Sequence, residues 1–157
     1  MTTIAGDGNL LACDSYASLS EEKHTLCKMH KVPGGIAAIS GAYAHGLEII
    51  EWLWKTDKDK DKHPYPKCSE EEDGGKGATV VVVTSKKTLL VYEWYSHLPL
   101  KFTSKYIALG SGSMAARAAM MCGKNAQESI IIASQIDKHT DSNVYVGDPT
   151  TQRIILF

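Results

Sequence analysis

The sequence lacks any apolar run approaching the roughly 18 residues of a membrane-spanning helix. It also lacks a charged n-region followed by an apolar h-region at its start, so no secretory signal is expected. Charge of one sign is missing too. Seventeen basic residues stand against 18 acidic ones, a formal net charge of −1. Neither nucleic acid nor an anionic membrane is therefore expected as a partner. The four cysteines, Cys13, Cys27, Cys68 and Cys122, are scattered, with no C-x-x-C pair. Such usage fits reduced thiols in a cytoplasmic protein. No zinc-ligand spacing repeats around Cys27, His30, His63 and Cys68, so no metal is expected. Internal repeats and low-complexity domains are missing as well.

What is present suits one globular domain over residues 1–157. The chain is 43% apolar, and at this length about 68–70% of the unfolded surface can be buried. The first half reads as short strands. Thr2–Ala5 and Leu10–Asp14 flank Gly6-Asp7-Gly8-Asn9, a hairpin signal. A polar stretch, Ser15–His24, follows. Leu26–Val32 and Ile36–Ser40 flank Pro33-Gly34-Gly35, a second hairpin. In Ala44–Lys55, Leu47, Ile50, Leu53 and Trp54 recur at helical spacing, which predicts an amphipathic helix.

Alternating Lys and Asp from Lys55 to Lys62 suit a solvated helix end. Pro64, Pro66 and Gly74-Gly75 deny a long continuation, so a charged exposed loop is expected at about 56–77. Thr79–Thr84 reads as a buried strand, with further strands at Leu89–Trp94 and Tyr106–Leu109. Gly110-Ser111-Gly112-Ser113 leads into a helix at Met114–Cys122. A second helix is predicted over Ala126–His139, and strands at Val144–Gly147 and Arg153–Leu156. Runs of strands and helices that do not alternate argue for an α+β fold.

Thr2 sits directly behind Met1. Removal of that methionine would leave a hydroxyl and a free amine on one residue, a nucleophile and a base together. The run Thr2-Thr3-Ile4-Ala5, then Leu11-Ala12-Cys13-Asp14-Ser15, then the lysine segment Cys27-Lys28-Met29-His30-Lys31-Val32, a glycine turn and Gly110-Ser111-Gly112-Ser113 follow one another in order. This succession resembles the proteasome β-subunits and bacterial HslV peptidases, which are N-terminal nucleophile (Ntn) hydrolases.

The resemblance spans nearly the whole chain. It implies an αββα four-layer sandwich of two antiparallel sheets between helical layers. It implies a threonine-type peptidase in a homo-oligomeric ring, acting on peptide or unfolded protein, with room for an ATPase unfoldase partner and no cofactor. No propeptide is expected, as in HslV-type subunits.

By the same resemblance Thr2 is the nucleophile and Asp14 the buried acid that pairs with a lysine. Lys28 is that lysine. Lys31 is its rival, and strand alternation puts Lys28 with His30 on the opposite face. Gly41 offers its N–H to the oxyanion, and Ser111 bonds the threonine amine. Asp137 and Thr140 match the D-x-x-S pair that supports it. Ala17, Leu26, His30, Ile39 and Tyr43 are the expected substrate pocket, a mostly apolar set that favours an apolar side chain before the cut.

The sequence departs from the family pattern in its shorter length, in Thr140 where Ser is commoner, and in its helices. The second of two helices expected between the strand sets would fall in the charged stretch. Two other readings stand beside this one. The chain could be a catalytically inert subunit that keeps the fold. Alternatively, Gly110-x-Gly112-x-x-Ala115 after a strand and before a helix matches a dinucleotide-binding fingerprint, although a second helix rather than a strand follows it.

Overall fold

The structure is a computed structural model that describes residues 2–19, 22–68 and 77–157. Twelve strands and four helices are described. They run β1 (Thr3–Gly6), β2 (Leu11–Asp14), β3 (Tyr16–Leu19), β4 (Glu22–Thr25), β5 (Met29–Val32), β6 (Gly35–Gly41), α1 (Tyr43–Leu53), α2 (Asp57–Lys62), β7 (Ala78–Thr84) and β8 (Leu89–Tyr92). Then come β9 (Leu100–Phe102), β10 (Ile107–Gly110), α3 (Ser113–Met121), α4 (Ala126–Ile136), β11 (Val144–Asp148) and β12 (Arg153–Leu156).

Two five-stranded sheets form, ordered β10-β1-β2-β11-β12 and β5-β6-β7-β8-β9. Every pairing within them is antiparallel. The layering follows from the two-residue period of strands. Ile4, Leu11 and Cys13 point from the first sheet into a core shared with Ile36, Ala38, Val81 and Val83 of the second. Their neighbours point the other way. Ala5 and Ala12 meet Ala116 and Met120 of α3 and Ile130 and Ala133 of α4. Ala37, Ile39, Val80 and Val82 meet Ile49 and Ile50 of α1. Both sheets are thus buried on both faces, which explains why β7 is an unbroken valine run rather than an alternating one. Each fully buried Val or Ile contributes about 1.5–3 kcal/mol. The αββα sandwich expected from the motifs is the observed architecture.

Several expectations need correction. The polar stretch Ser15–His24 holds a hairpin, β3–β4, that pairs with neither sheet. The edge strand β9 was not expected; it is only three residues long, and all three are exposed. The expected charged loop contains α2. Thr56 caps it, with its side chain accepting from the Asp59 N–H; Asp57 and Asp59 sit in the first turn, and Lys60 and Lys62 in the last. Cap and charge order favour the helix dipole, so a short helix forms with no buried residue. The remainder of that expected loop, 69–76, lies outside the described residues.

The helix predicted to run to His139 stops at Ile136. Asp137 is already extended there, and its carboxylate accepts from the His139 N–H. The dinucleotide reading also fails. β10 pairs antiparallel with β1, and α3 leads into α4 rather than a parallel strand, so among the described residues β10 and α3 open no βαβ unit that could hold a pyrophosphate.

Candidate active site

The start of β1 is fixed from two sides. The Thr3 N–H donates to Asp14 Oδ1 at 2.8 Å, and Thr3 lies opposite Gly110 in the ladder. Gly110 has φ +94°, and a Cβ there would overlap the carbonyl of Thr2. Only glycine lets the Thr2 backbone pass so close. Thr2 is held buried at the floor of a cleft of about 720 Å³.

Lys28 comes up beside it. Its ammonium donates to Thr2 Oγ1 at 2.9 Å, to Asp14 Oδ1 at 3.1 Å and to the Tyr16 carbonyl at 2.7 Å. Those are all three of its protons, so the ammonium has one orientation. The carboxylate of Asp14 is equally occupied. Oδ1 takes Thr3 N–H and Lys28, and Oδ2 takes the Tyr16 N–H at 3.1 Å and the Asp141 N–H at 3.3 Å. Lys28 is 4% exposed and Asp14 wholly buried. A buried ion pair recovers its desolvation cost only when its remaining protons and lone pairs are satisfied, and here they are. Because Thr2 Oγ1 accepts from a cation, its own proton remains available to a base, and negative charge developing on the oxygen is stabilised.

A second cluster backs the first. The Gly112 N–H donates to Thr3 Oγ1 at 2.9 Å. Thr3 Oγ1 lies 2.6 Å from Thr140 Oγ1, and Thr140 donates to Asp137 Oδ2 at 2.6 Å. Thr140 spends its only proton on the carboxylate, so Thr3 must be the donor in the middle link. The Ser111 hydroxyl also bonds Asp137. Burial pushes the Asp137 carboxyl upward, but the Ser111 and Thr140 hydroxyls and the His139 N–H outweigh it and hold the group below the usual carboxylate range.

Three segments wall the cleft. Tyr16, Ala17 and Ser18 of β3, with His24, Thr25 and Leu26, form one side; Ser40, Gly41 and Tyr43 form another; Gly110 and Ser111 close it. Gly41 has φ +87°, and a Cβ would run into the Gly77 carbonyl. Only glycine therefore fits at this position, where it lines the cleft.

The structure brings Thr2, Lys28, Gly41 and Ser111 to one cleft. Asp14 lies behind Lys28, and Asp137 and Thr140 lie behind Ser111. Lys31 is exposed and on the other strand face, which separates it from Lys28. Of the expected pocket residues, Ala17, Leu26 and Tyr43 line the cleft. Ile39 does not. It is 1% exposed and packs beneath α1, where Gly46 rides directly over it. His30 stands behind Tyr43, with Nε2 3.0 Å from the phenol oxygen. Tyr43 donates to the Cys27 carbonyl at 3.1 Å, so the His30 N–H supplies the other bond.

Sequence reasoning missed Tyr16, Ser18, His24, Thr25 and Ser40 as lining, and Thr3 as a link between clusters. The doubled threonine was the available signal. Among the described residues no three His, Cys, Asp or Glu side chains converge as a metal site. No helix among them is long and apolar enough to cross a membrane.

No protein-family model matches the sequence, and no curated protein does. Many solved structures do match in three dimensions, among them the following two. Eukaryotic HslV from Trypanosoma brucei superposes with a TM-score of 0.67 at 17% identity, over 99% of this chain and 99% of the other. BPH from Thiobacillus denitrificans, in complex with epoxomicin, superposes with a TM-score of 0.64 at 16% identity, over 99% of this chain and 97% of the other. At such identities the likeness is one of fold. The chain has an HslV/proteasome-like Ntn-hydrolase fold.

Proposed function

We propose that this chain, with that fold as its premise, is an N-terminal threonine peptidase that works through Thr2. The observation that carries the reading is the buried Lys28 ammonium, 2.9 Å from Thr2 Oγ1 at the floor of an open cleft. Removal of Met1 frees the Thr2 amine. An α-amine titrates near 7.7–8.0, so it is partly unprotonated at neutral pH and suits a general base.

The reaction then runs in two halves. Thr2 Oγ attacks the peptide carbonyl carbon while its proton passes to the α-amine. The oxyanion takes the Gly41 N–H. Collapse returns the proton to the leaving amine and leaves an acyl ester on Thr2. Water, deprotonated by the same amine, attacks that ester and restores the hydroxyl. Asp14 keeps Lys28 aimed, and Ser111, Asp137 and Thr140 hold the amine in place.

The substrate is an extended peptide or unfolded protein with an apolar side chain before the cut, since Tyr16, Ala17, Leu26 and Tyr43 line the cleft and no carboxylate does among the described residues. The working form is a homo-oligomeric ring in the cytoplasm, fed alone or by an ATPase unfoldase. Exposed Met114 and Met121 on α3 and Ile136 on α4 supply apolar surface for self-association. Sedimentation tests the ring; a monomer at micromolar concentration would remove it and leave the chemistry standing.

Intact mass before and after treatment with an epoxyketone electrophile tests the chemistry. The expected result is a chain without Met1 that gains one inhibitor on Thr2. Thr2→Ala should gain none and lose turnover by on the order of 10⁶, while staying folded. A processed protein that stays unlabelled and cleaves nothing would instead be an inert subunit with this fold.

A further inference from the structure

The β3–β4 hairpin supplies one wall of the cleft through Tyr16, Ala17, His24 and Thr25. It is also the least supported part of that wall. All four β4 residues are exposed, and the hairpin shares no ladder with either large sheet. A lone two-stranded hairpin is marginal in water, so bonds outside its own ladder must hold it.

At its base, Lys28 and Asp14 fix Tyr16, and the Ser15 N–H donates to the Asn143 carbonyl at 3.0 Å. A further tie comes from one buried carboxylate in the segment after α4. Asp141 Oδ2 accepts from Ser15 Oγ at 3.0 Å. Oδ1 accepts from the Ser142 N–H at 2.7 Å and lies 3.4 Å from Lys23 Nζ, on the outer strand of the hairpin. Lys23 also leans over the Tyr16 ring at 5.5 Å. Asp141 thus grips the hairpin at its root through Ser15 and at its outer strand through Lys23. Among the described residues, Lys23–Asp141 is the one ion pair that joins the hairpin to the body.

We infer that Asp141 is a positioning residue that latches the β3–β4 hairpin through Ser15 and Lys23, and so sets how tightly the cleft holds the substrate side chain before the cut. The inference rests on reading the cleft as the substrate site of a Thr2 peptidase.

The two arms respond differently. The Lys23 side chain is 58% exposed, so salt screens its arm. The Ser15 arm is buried and uncharged on one side, so salt leaves it intact. The backbone N–H of Asp141, which donates to Asp14, survives any change of its side chain. Loss of the latch should therefore weaken substrate binding and spare the chemical step.

Lys23→Met, Lys23→Arg and Asp141→Asn test this. Two readouts are followed: hydrogen exchange of the hairpin amides, and KM and kcat on a fluorogenic peptide with Leu before the cut. In Lys23→Met, exchange and KM should both rise roughly two- to fivefold; in Asp141→Asn, roughly tenfold. In both, kcat should stay within about twofold, the N–H to Asp14 being retained. Lys23→Arg should restore wild-type values. High salt should raise KM in the wild type and leave Lys23→Met unmoved.

Hairpin exchange that matches wild type in Lys23→Met overturns the latch, even if Asp141→Asn fails to fold. Faster exchange with an unchanged KM overturns its role in binding. Failure of the parent reading shows elsewhere, as an unaltered protein that never labels at Thr2. Hairpin exchange then still decides whether the latch exists.

Discussion

The buried cluster around Thr2 and the hairpin wall face each other across one cleft, and they are built in opposite ways. In the cluster, Lys28 spends all three protons and Asp14 accepts four bonds, away from water. In the hairpin, β4 is exposed along its whole length and its outer ion pair is half in solvent. A chemical step needs donors and charges fixed before the reaction starts. A surface that accepts different peptide side chains does not. On the peptidase reading proposed above, two packed sheets would meet the first need and a strand pair outside both would meet the second.

The largest break in this comparison is Lys28→Met. It removes the cation from Thr2 Oγ1 and strands the Asp14 carboxylate in the core. We expect epoxyketone labelling to slow by roughly 10³-fold, within the range for losing a group that assists proton transfer, and stability to fall by about 3 kcal/mol from the uncompensated buried charge. Labelling kinetics and urea unfolding measure the two losses. Labelling at the wild-type rate would detach Lys28 from the chemistry. Wild-type stability would mean that Asp14 is not the isolated charge the geometry describes.

Thr3→Val is a smaller cut in the same cluster. The shape is kept, but the Gly112 N–H and the Thr140 oxygen lose the hydroxyl between them. Leaving buried polar groups unmet costs about 1–3 kcal/mol. If the chain of hydroxyls also aims Ser111 and Asp137 at the Thr2 amine, kcat should drop by about tenfold with KM unchanged, and Thr3→Ser should recover it. A variant that is less stable but turns over normally would reduce Thr3 to a packing role.

The same contrast decides what could be read from the sequence. A buried site leaves charged residues in apolar strands, and those are conspicuous: Asp14 closes Leu11-Ala12-Cys13, and Lys28 precedes a strand whose alternation separates it from Lys31. The hairpin leaves no such mark. β4 carries Glu22, Lys23, His24 and Thr25, all exposed, so there is no apolar alternation to reveal a strand. β9 was missed for a different reason: Leu100-Lys101-Phe102 alternates, but three residues are too short a run to stand out. Ile39 misled in the opposite sense. β6 is buried on both faces, so periodicity cannot say which of its side chains reach the cleft and which pack beneath α1. Thr3 was hidden by its neighbour, since the doubled threonine explained itself as a nucleophile motif before any second role was sought.

The gentlest probe acts behind the wall rather than on it. His30 holds Tyr43, one side of the cleft, from within. Burial lowers the His30 pKa from its ordinary value of 6.5, so the folded protein resists a proton that the unfolded chain accepts. Stability from this group is therefore complete above 6.5 and is lost as pH falls through the lower folded value. The depressed carboxyls of Asp137 and Asp141 start from 3.8, so they act in a more acid window and do not blur the first. His30→Gln keeps an N–H for Tyr43 and takes up no proton. Urea unfolding as pH falls below 6.5 should give the wild type a positive slope of stability with pH, damped because the ring is only half-buried. The variant should be flatter there. Equal slopes in the two proteins would mean that protonation of His30 is not linked to unfolding.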